Sequence, residues 1–188
     1  MTNFFAILGL PESLLLDHSE IEDAWRTATK KAHPDQKKSD SESLIAADLN
    51  RARSVLSSPA ERLAHWLEIK ACEHESNRSI EPELMDLFAT VHTALQKADS
   101  VISRNQNSTT ALAKALLTKE SVEAQLGIQQ KMARIQRFKE SIISIFPEID
   151  EAARSGNFES AKRNLSQLKF LTKWEQQCQA RLLSLLEC

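Results

Sequence analysis

The sequence predicts an all-α protein: an N-terminal helical hairpin with short flanking helices, followed by a C-terminal three-helix bundle with an extended middle. Three observations predict it. Only three Gly and five Pro interrupt 188 residues rich in Ala, Leu, Glu, Gln, Lys and Ser, the residues helices favour. Apolar positions recur at spacings of three and four rather than two. Punctuation at Pro34, Pro59, Pro82, Asn105 to Thr109, Pro147 and Gly156 cuts the chain into helix-length segments, and the length suits one or two domains.

Asp17 with Glu20 three residues on has capping-box spacing, and the helix that follows sets Ile21, Ala24, Trp25, Ala28 and Ala32 on one stripe. Pro34 disfavours helical backbone at the residue before it, so this helix ends at about Ala32. Ile45, Leu49, Ala52 and Leu56 form a second stripe, and the two stripes face each other in an antiparallel hairpin. Ser58-Pro59-Ala60-Glu61 supplies a cap, a first-turn proline and an acid, and Leu63, Trp66 and Leu67 pack the helix so opened. These residues, 1–72, form the first domain. Residues 73–79 are polar and read as a linker.

The second domain, 80–188, opens at Glu81-Pro82-Glu83 with a helix running to about Ser103, then turns between Asn105 and Ser108. A long helical stretch follows to Arg154. Its seam is Ile135, Phe138, Ile142, Ile145 and Ile149, and Pro147 kinks or ends the helix. Ala111, Leu112, Ala115, Leu116, Val122 and Leu126 are expected to supply the inner face of its first half. Ser155-Gly156-Asn157 stops the helix. The last helix carries Phe158, Ala161, Leu165, Leu168, Leu171, Trp174, Cys178, Leu182 and Leu185 on one stripe.

The charge pattern is local. The formal net charge is −2, and no Lys/Arg block exceeds two in a row, which excludes a generally basic nucleic-acid binder. Yet Arg26, Lys30, Lys31, Lys37 and Lys38 cluster around His33-Pro34-Asp35. Pro34 fixes its own φ and Asp35 holds a turn, so the hairpin tip is a rigid loop ringed by cations, suited to an acidic partner surface through a salt-sensitive local field. His33 has no Ser, Cys or ligand cluster nearby in sequence, so a recognition loop is expected rather than a catalytic base. No nucleophile–base or metal constellation appears, and neither enzyme activity nor cofactor is expected. Three cysteines, Cys72, Cys178 and Cys188, without paired spacing do not make a disulfide framework or a zinc site. No run of about 18 apolar residues occurs and the N-terminus lacks a positive segment, so neither a membrane span nor a signal peptide is expected.

The His33-Pro34-Asp35 loop, the Phe4 to Leu10 helix and Leu49 to Arg62 with its Asn50-Arg51-Ala52 element resemble the J-domain of DnaJ-type co-chaperones. Gly156 to Ala161 and Leu168 to Lys173 resemble the C-terminal domain of the HscB family of J-proteins. The resemblance implies that His33, Pro34, Asp35, Arg26, Lys30, Lys31, Lys37 and Lys38 contact a DnaK- or HscA-type ATPase chaperone and stimulate it. It implies that Leu84, Met85, Phe88 and Phe170 bind an IscU-like iron–sulfur scaffold protein. The cysteine usage makes a cytoplasmic compartment the simplest expectation, and charge and hydropathy leave no nucleic-acid or membrane partner expected. Ala32 and Gln36 stand where the family carries an aromatic and a Lys, and Ala89 and His92 stand where acids are common. The middle of the bundle looks roughly 25 residues longer than the family's, enough to lengthen two helices by about 20 Å each. Two alternatives remain: a J-protein with another client, and a structural adaptor with a non-functional J-domain.

Overall fold

The computed structural model describes residues 2–32, 40–70 and 81–187. Among them lie eight α-helices and no strand: α1 (Phe4–Leu8), α2 (His18–Ala32), α3 (Asp40–Ser57), α4 (Pro59–Ile69), α5 (Pro82–Gln106), α6 (Ala111–Ser144), α7 (Phe146–Arg154) and α8 (Glu159–Leu186). The chain forms two compact units, one of Met1–Asn77 with Ile143–Ser166, the other of Arg78–Ile142 with Gln167–Cys188.

In the first unit α1, α2 and α3 pack on one another and α4 packs on α3. The Asn3 side chain caps α1 by accepting from the Ala6 N–H at 3.2 Å, and Gly9, at φ 67°, ends it in the left-handed region that glycine enters at little cost. Glu20 reaches back to accept from the Asp17 N–H at 2.8 Å, half of the expected capping box. α2 is described as far as Ala32, and its expected stop at Pro34 lies outside the described residues. Phe5, Leu14, Ile21, Leu56, Leu63, Trp66 and Leu67 form the core. Two stripe positions differ from expectation. Ile45 is 48% exposed, and of the α2 stripe only Ile21 is fully buried, with Ala24, Trp25, Ala28 and Ala32 at its half-covered margin. The hairpin is therefore packed tightly near its base and loosely toward residue 45. Residues 143–166 add Phe146 and Ile149 to this unit's core, and Phe158 lies 6.1 Å from the Trp66 ring. α6 ends at Ser144, and Pro147 sits in the first turn of α7, where its missing N–H costs nothing.

The second unit is built from α5, most of α6 and the C-terminal part of α8. By helical rise α5 is about 38 Å long and α6 about 51 Å. Lys97 pairs with Glu123 at 3.2 Å and Arg104 with Glu120, which fixes α5 and α6 as antiparallel neighbours. Lys139 meets Glu175 at 2.7 Å and the Ser121 hydroxyl lies 3.4 Å from the Leu185 carbonyl, which does the same for α6 and α8. The turn falls at residues 107–110, two residues beyond the expected Asn105 to Ser108, because α5 continues to Gln106.

The inner face of the first half of α6 is not the expected one. Leu112, Leu116, Val122 and Leu126 are 72%, 67%, 57% and 55% exposed, and Ala111 and Ala115 are exposed beside them. Leu117, Ser121, Ala124 and Ile128 are buried instead. The reason is phase: stepping back by sevens from Ile142 and Ile135 lands on Ile128 and Ser121. The long seam therefore sets the rotation of the whole helix, and a polar Ser is accepted on the core line because its hydroxyl reaches Leu185.

Candidate functional site

The hairpin that carries the charged loop is locked by a short ladder of side chains. Arg53 donates from Nε and Nη2 to the Glu22 carboxylate at 2.6 and 2.9 Å, and its guanidinium lies 4.3 Å from the Trp25 ring centre. Trp25 Nε1 in turn donates to Asn50 Oδ1 at 3.2 Å. Glu22 opposite Arg53, and Trp25 opposite Asn50, share one antiparallel register. A bidentate guanidinium–carboxylate pair is directional as well as attractive, so it fixes how far α2 and α3 slide past one another. The two Arg53 hydrogen bonds hold the Glu22 carboxyl below the usual glutamate range.

α2 and α3 are held at their base by α1 and α4. His65 on α4 is 4% exposed; its Nε2 accepts from the Phe4 N–H at 3.0 Å, so the proton sits on Nδ1, 3.7 Å from Glu68. The Phe4 and Phe5 rings flank the imidazole at 4.6 and 5.7 Å. Glu12, between α1 and α2, takes Lys70 at 3.1 Å and Asn3 at 2.8 Å, which together draw its carboxyl below the usual range. Trp66 Nε1 donates to the Glu12 carbonyl at 3.3 Å. Buried Arg62 donates to the Leu56 carbonyl at 2.7 Å, and desolvation pulls its pKa down. These supports were not read as site residues in the sequence. Glu22 with Arg53 could have been, as opposite charges at equal distances from the hairpin turn.

On this scaffold Lys30 and Lys31 are exposed in the last turn of α2, where cations complement the helix dipole. Arg26 is exposed one turn earlier and spends part of its charge on Asp23 at 3.6 Å. His33, Pro34, Asp35, Lys37 and Lys38 belong to residues 33–39, which join α2 to α3 and lie outside the described residues.

The second predicted group lies on α5 and α8 within the second unit. Met85, Phe88 and Phe170 are 50%, 43% and 41% exposed. Leu84 is buried at 3% and belongs to the stripe of Leu87 and Val91 that packs the bundle. Trp174 organises the exposed three. It is 7% exposed, 5.3 Å from the Phe88 ring and 6.3 Å from the Phe170 ring, and His92 stacks on Phe88 at 6.0 Å. The sequence placed Trp174 in the core stripe; it also forms the floor between two exposed rings. Such an aromatic patch suits apolar side chains of another protein. Among the described residues no three His, Cys, Asp or Glu come together as metal ligands, and no helix is long and apolar enough to cross a membrane.

Residues 3–65 match the DnaJ domain family. The co-chaperone protein HscB homolog of Cupriavidus taiwanensis is 31% identical over 104 residues, 51% of this chain and 59% of that protein. The HscB homolog of Chromobacterium violaceum is 28% identical over 83 residues, 41% of this chain and 47% of that protein. The matched segments thus span about half the length of these curated relatives. Two solved structures share the fold along almost the whole chain. Chaperone HscB from Vibrio cholerae superposes with a TM-score of 0.62 at 18% identity, over 95% of this chain and 96% of that one. Human co-chaperone protein HscB gives 0.62 at 13% identity, over 96% and 82%. Residues 3–65 thus form a DnaJ domain, and the chain is similar in sequence to HscB homologs over about half its length and in fold to HscB over almost all of it.

Proposed function

We propose that this protein stimulates ATP hydrolysis by a DnaK- or HscA-type chaperone and presents to it an IscU-like iron–sulfur scaffold protein. The observation that carries the reading is the position of His33-Pro34-Asp35 between α2 and α3 of the matched DnaJ domain, with Lys30 and Lys31 exposed on the turn that leads to it. The J-domain is assigned to 1–72, the linker to 73–79 and the scaffold-binding bundle to 80–188. Arg26, Lys30, Lys31, Lys37 and Lys38 steer the loop onto an acidic groove of the chaperone. Met85, Phe88 and Phe170 make the apolar contact with the scaffold, and Leu84 seats α5 beneath them. The protein has no catalytic activity of its own and acts in the cytoplasm. A second reading, the same J-domain serving another client, draws on His92 in the patch where the family favours an acid.

The test is single-turnover ATP hydrolysis by the cognate chaperone with and without this protein. His33→Gln and Asp35→Asn each abolish stimulation while leaving the melting temperature nearly unchanged, since surface substitutions stay within about 0.5 kcal/mol. Stimulation falls with ionic strength because the flanking cations are screened. Full stimulation by His33→Gln refutes the reading. Stimulation without scaffold binding selects the second one.

A further inference from the structure

α6 carries two apolar faces. One, with Leu117, Ala124 and Ile128, is the core of the second unit. The other, with Leu112, Leu116, Val122 and Leu126, points about 160° away at 3.6 residues per turn and is more than half exposed at every one of these residues. An apolar patch of this kind marks an interaction surface. We propose that a second copy of this chain covers it, packing antiparallel on the same face about a twofold axis level with Ser121.

The centre of the face is its own complement under that operation, while Leu112 and Val122 at its margins fall on Gln130 and Glu120. A twofold interface requires that if residue i meets j, j meets i. About residue 121 the rotation brings Leu116 onto Leu126, Lys119 onto Glu123 and Ala115 onto Gly127, each twice. At this centre one large apolar residue meets another, a cation meets an anion, and small residues let the two backbones approach. Lys119 is exposed and forms no ion pair among the described residues, and the side chain of Glu123, paired with Lys97 at 3.2 Å, is 52% exposed. A parallel pairing in register would instead set Lys119 against Lys119. From residue 112 to residue 130 the face is about 27 Å long, and at roughly one helix width it covers on the order of 300 Å² per copy. That is well below the ~800 Å² per partner of a stable interface, so the dimer forms and dissociates with concentration. The face lies on another side of the bundle helix from the core and shares no residue with Met85, Phe88 or Phe170, so the inference stands whether or not the scaffold-binding reading does.

Sedimentation equilibrium of the full chain over about 1 to 500 μM tests it. A reversible monomer–dimer equilibrium is expected. Leu116→Lys raises the dissociation constant at least tenfold with an unchanged circular dichroism melt, and Leu112→Ser acts in the same direction more weakly. Lys119→Glu also raises it, and Lys119→Glu combined with Glu123→Lys restores most of the loss. A wild-type chain that stays monomeric throughout overturns the proposal. So does a dimer indifferent to Leu116→Lys, and a charge swap that does not restore association overturns the antiparallel register. If the chain stays monomeric while Leu116→Lys loses binding to the purified scaffold or chaperone, the face belongs to that partner and the second copy is ruled out.

Discussion

Leu84 and Met85 are neighbours on one helix, and truncating each to alanine separates packing from recognition. Leu84 is 3% exposed, so Leu84→Ala leaves a cavity in the second unit and costs about 2–5 kcal/mol. Met85 is 50% exposed; burying a whole Met side chain gains about 1.5–3 kcal/mol, so half of it gains about 1 kcal/mol. For a chain of this size about 1 kcal/mol moves the melting temperature by roughly 2–4 °C. Met85→Ala is therefore expected to lower it by no more than about 4 °C and Leu84→Ala by several times as much. Binding reverses the order. Losing an apolar anchor of about 1.4 kcal/mol weakens the scaffold complex about tenfold. Isothermal calorimetry with the IscU-like scaffold, beside a melting curve, reads both quantities on the same preparations. A Met85→Ala variant that melts as low as Leu84→Ala, or that binds the scaffold as tightly as wild type, refutes the assignment of Met85 to the contact face. Phe170→Ala follows Met85→Ala in both measurements.

Three further outcomes follow from the geometry. Arg53 holds Glu22 below the ordinary carboxylate range, so the pair's contribution is complete above the unfolded glutamate value and is lost as pH falls through the lower folded value; urea midpoints taken from about pH 6 to about pH 3 should fall more steeply for wild type than for Glu22→Gln, and parallel curves contradict this. His65→Leu leaves the buried Phe4 N–H without an acceptor at about 1–3 kcal/mol, and amide exchange should show α1 opening faster while α5 is unchanged. Burial pushes the Cys178 thiol up to about 11, so alkylation of the native protein at about pH 8 should spare Cys178 until urea is added, as mass spectrometry of the peptides will show.

Several helices were legible because each has its own stop or start: Ser58-Pro59 at α4, Pro82 at α5, Pro147 at the α6–α7 break and Gly156 ahead of α8. Of the expected site residues, Lys30 and Lys31 lie exposed in the last turn of α2 and Met85, Phe88 and Phe170 lie partly exposed on α5 and α8, while His33-Pro34-Asp35 falls outside the described residues. Rotation was harder. Leu112, Leu116, Val122 and Leu126 are as apolar as the residues that replaced them in the core, and only the heptad phase carried back from Ile142 distinguishes the faces. Trp174 was read as core because burial and partnership look alike in a stripe. The His65–Phe4 and Glu12–Lys70 contacts span some sixty positions, a distance over which no local pattern speaks.

The Trp66–Phe158 contact has a consequence for how the chain is made. Trp66 leaves the ribosome early, but the segment that covers it, 143–166, comes much later. Between residues 77 and 166 lie 89 residues, which at 5–20 residues per second take about 4–18 s to translate. Helix formation needs about a microsecond, so α1 to α4 have ample time to form while one flank of α4 waits uncovered. During synthesis the flank of α4 that Phe158 meets therefore stays uncovered for several seconds, until residues 143–166 have been made.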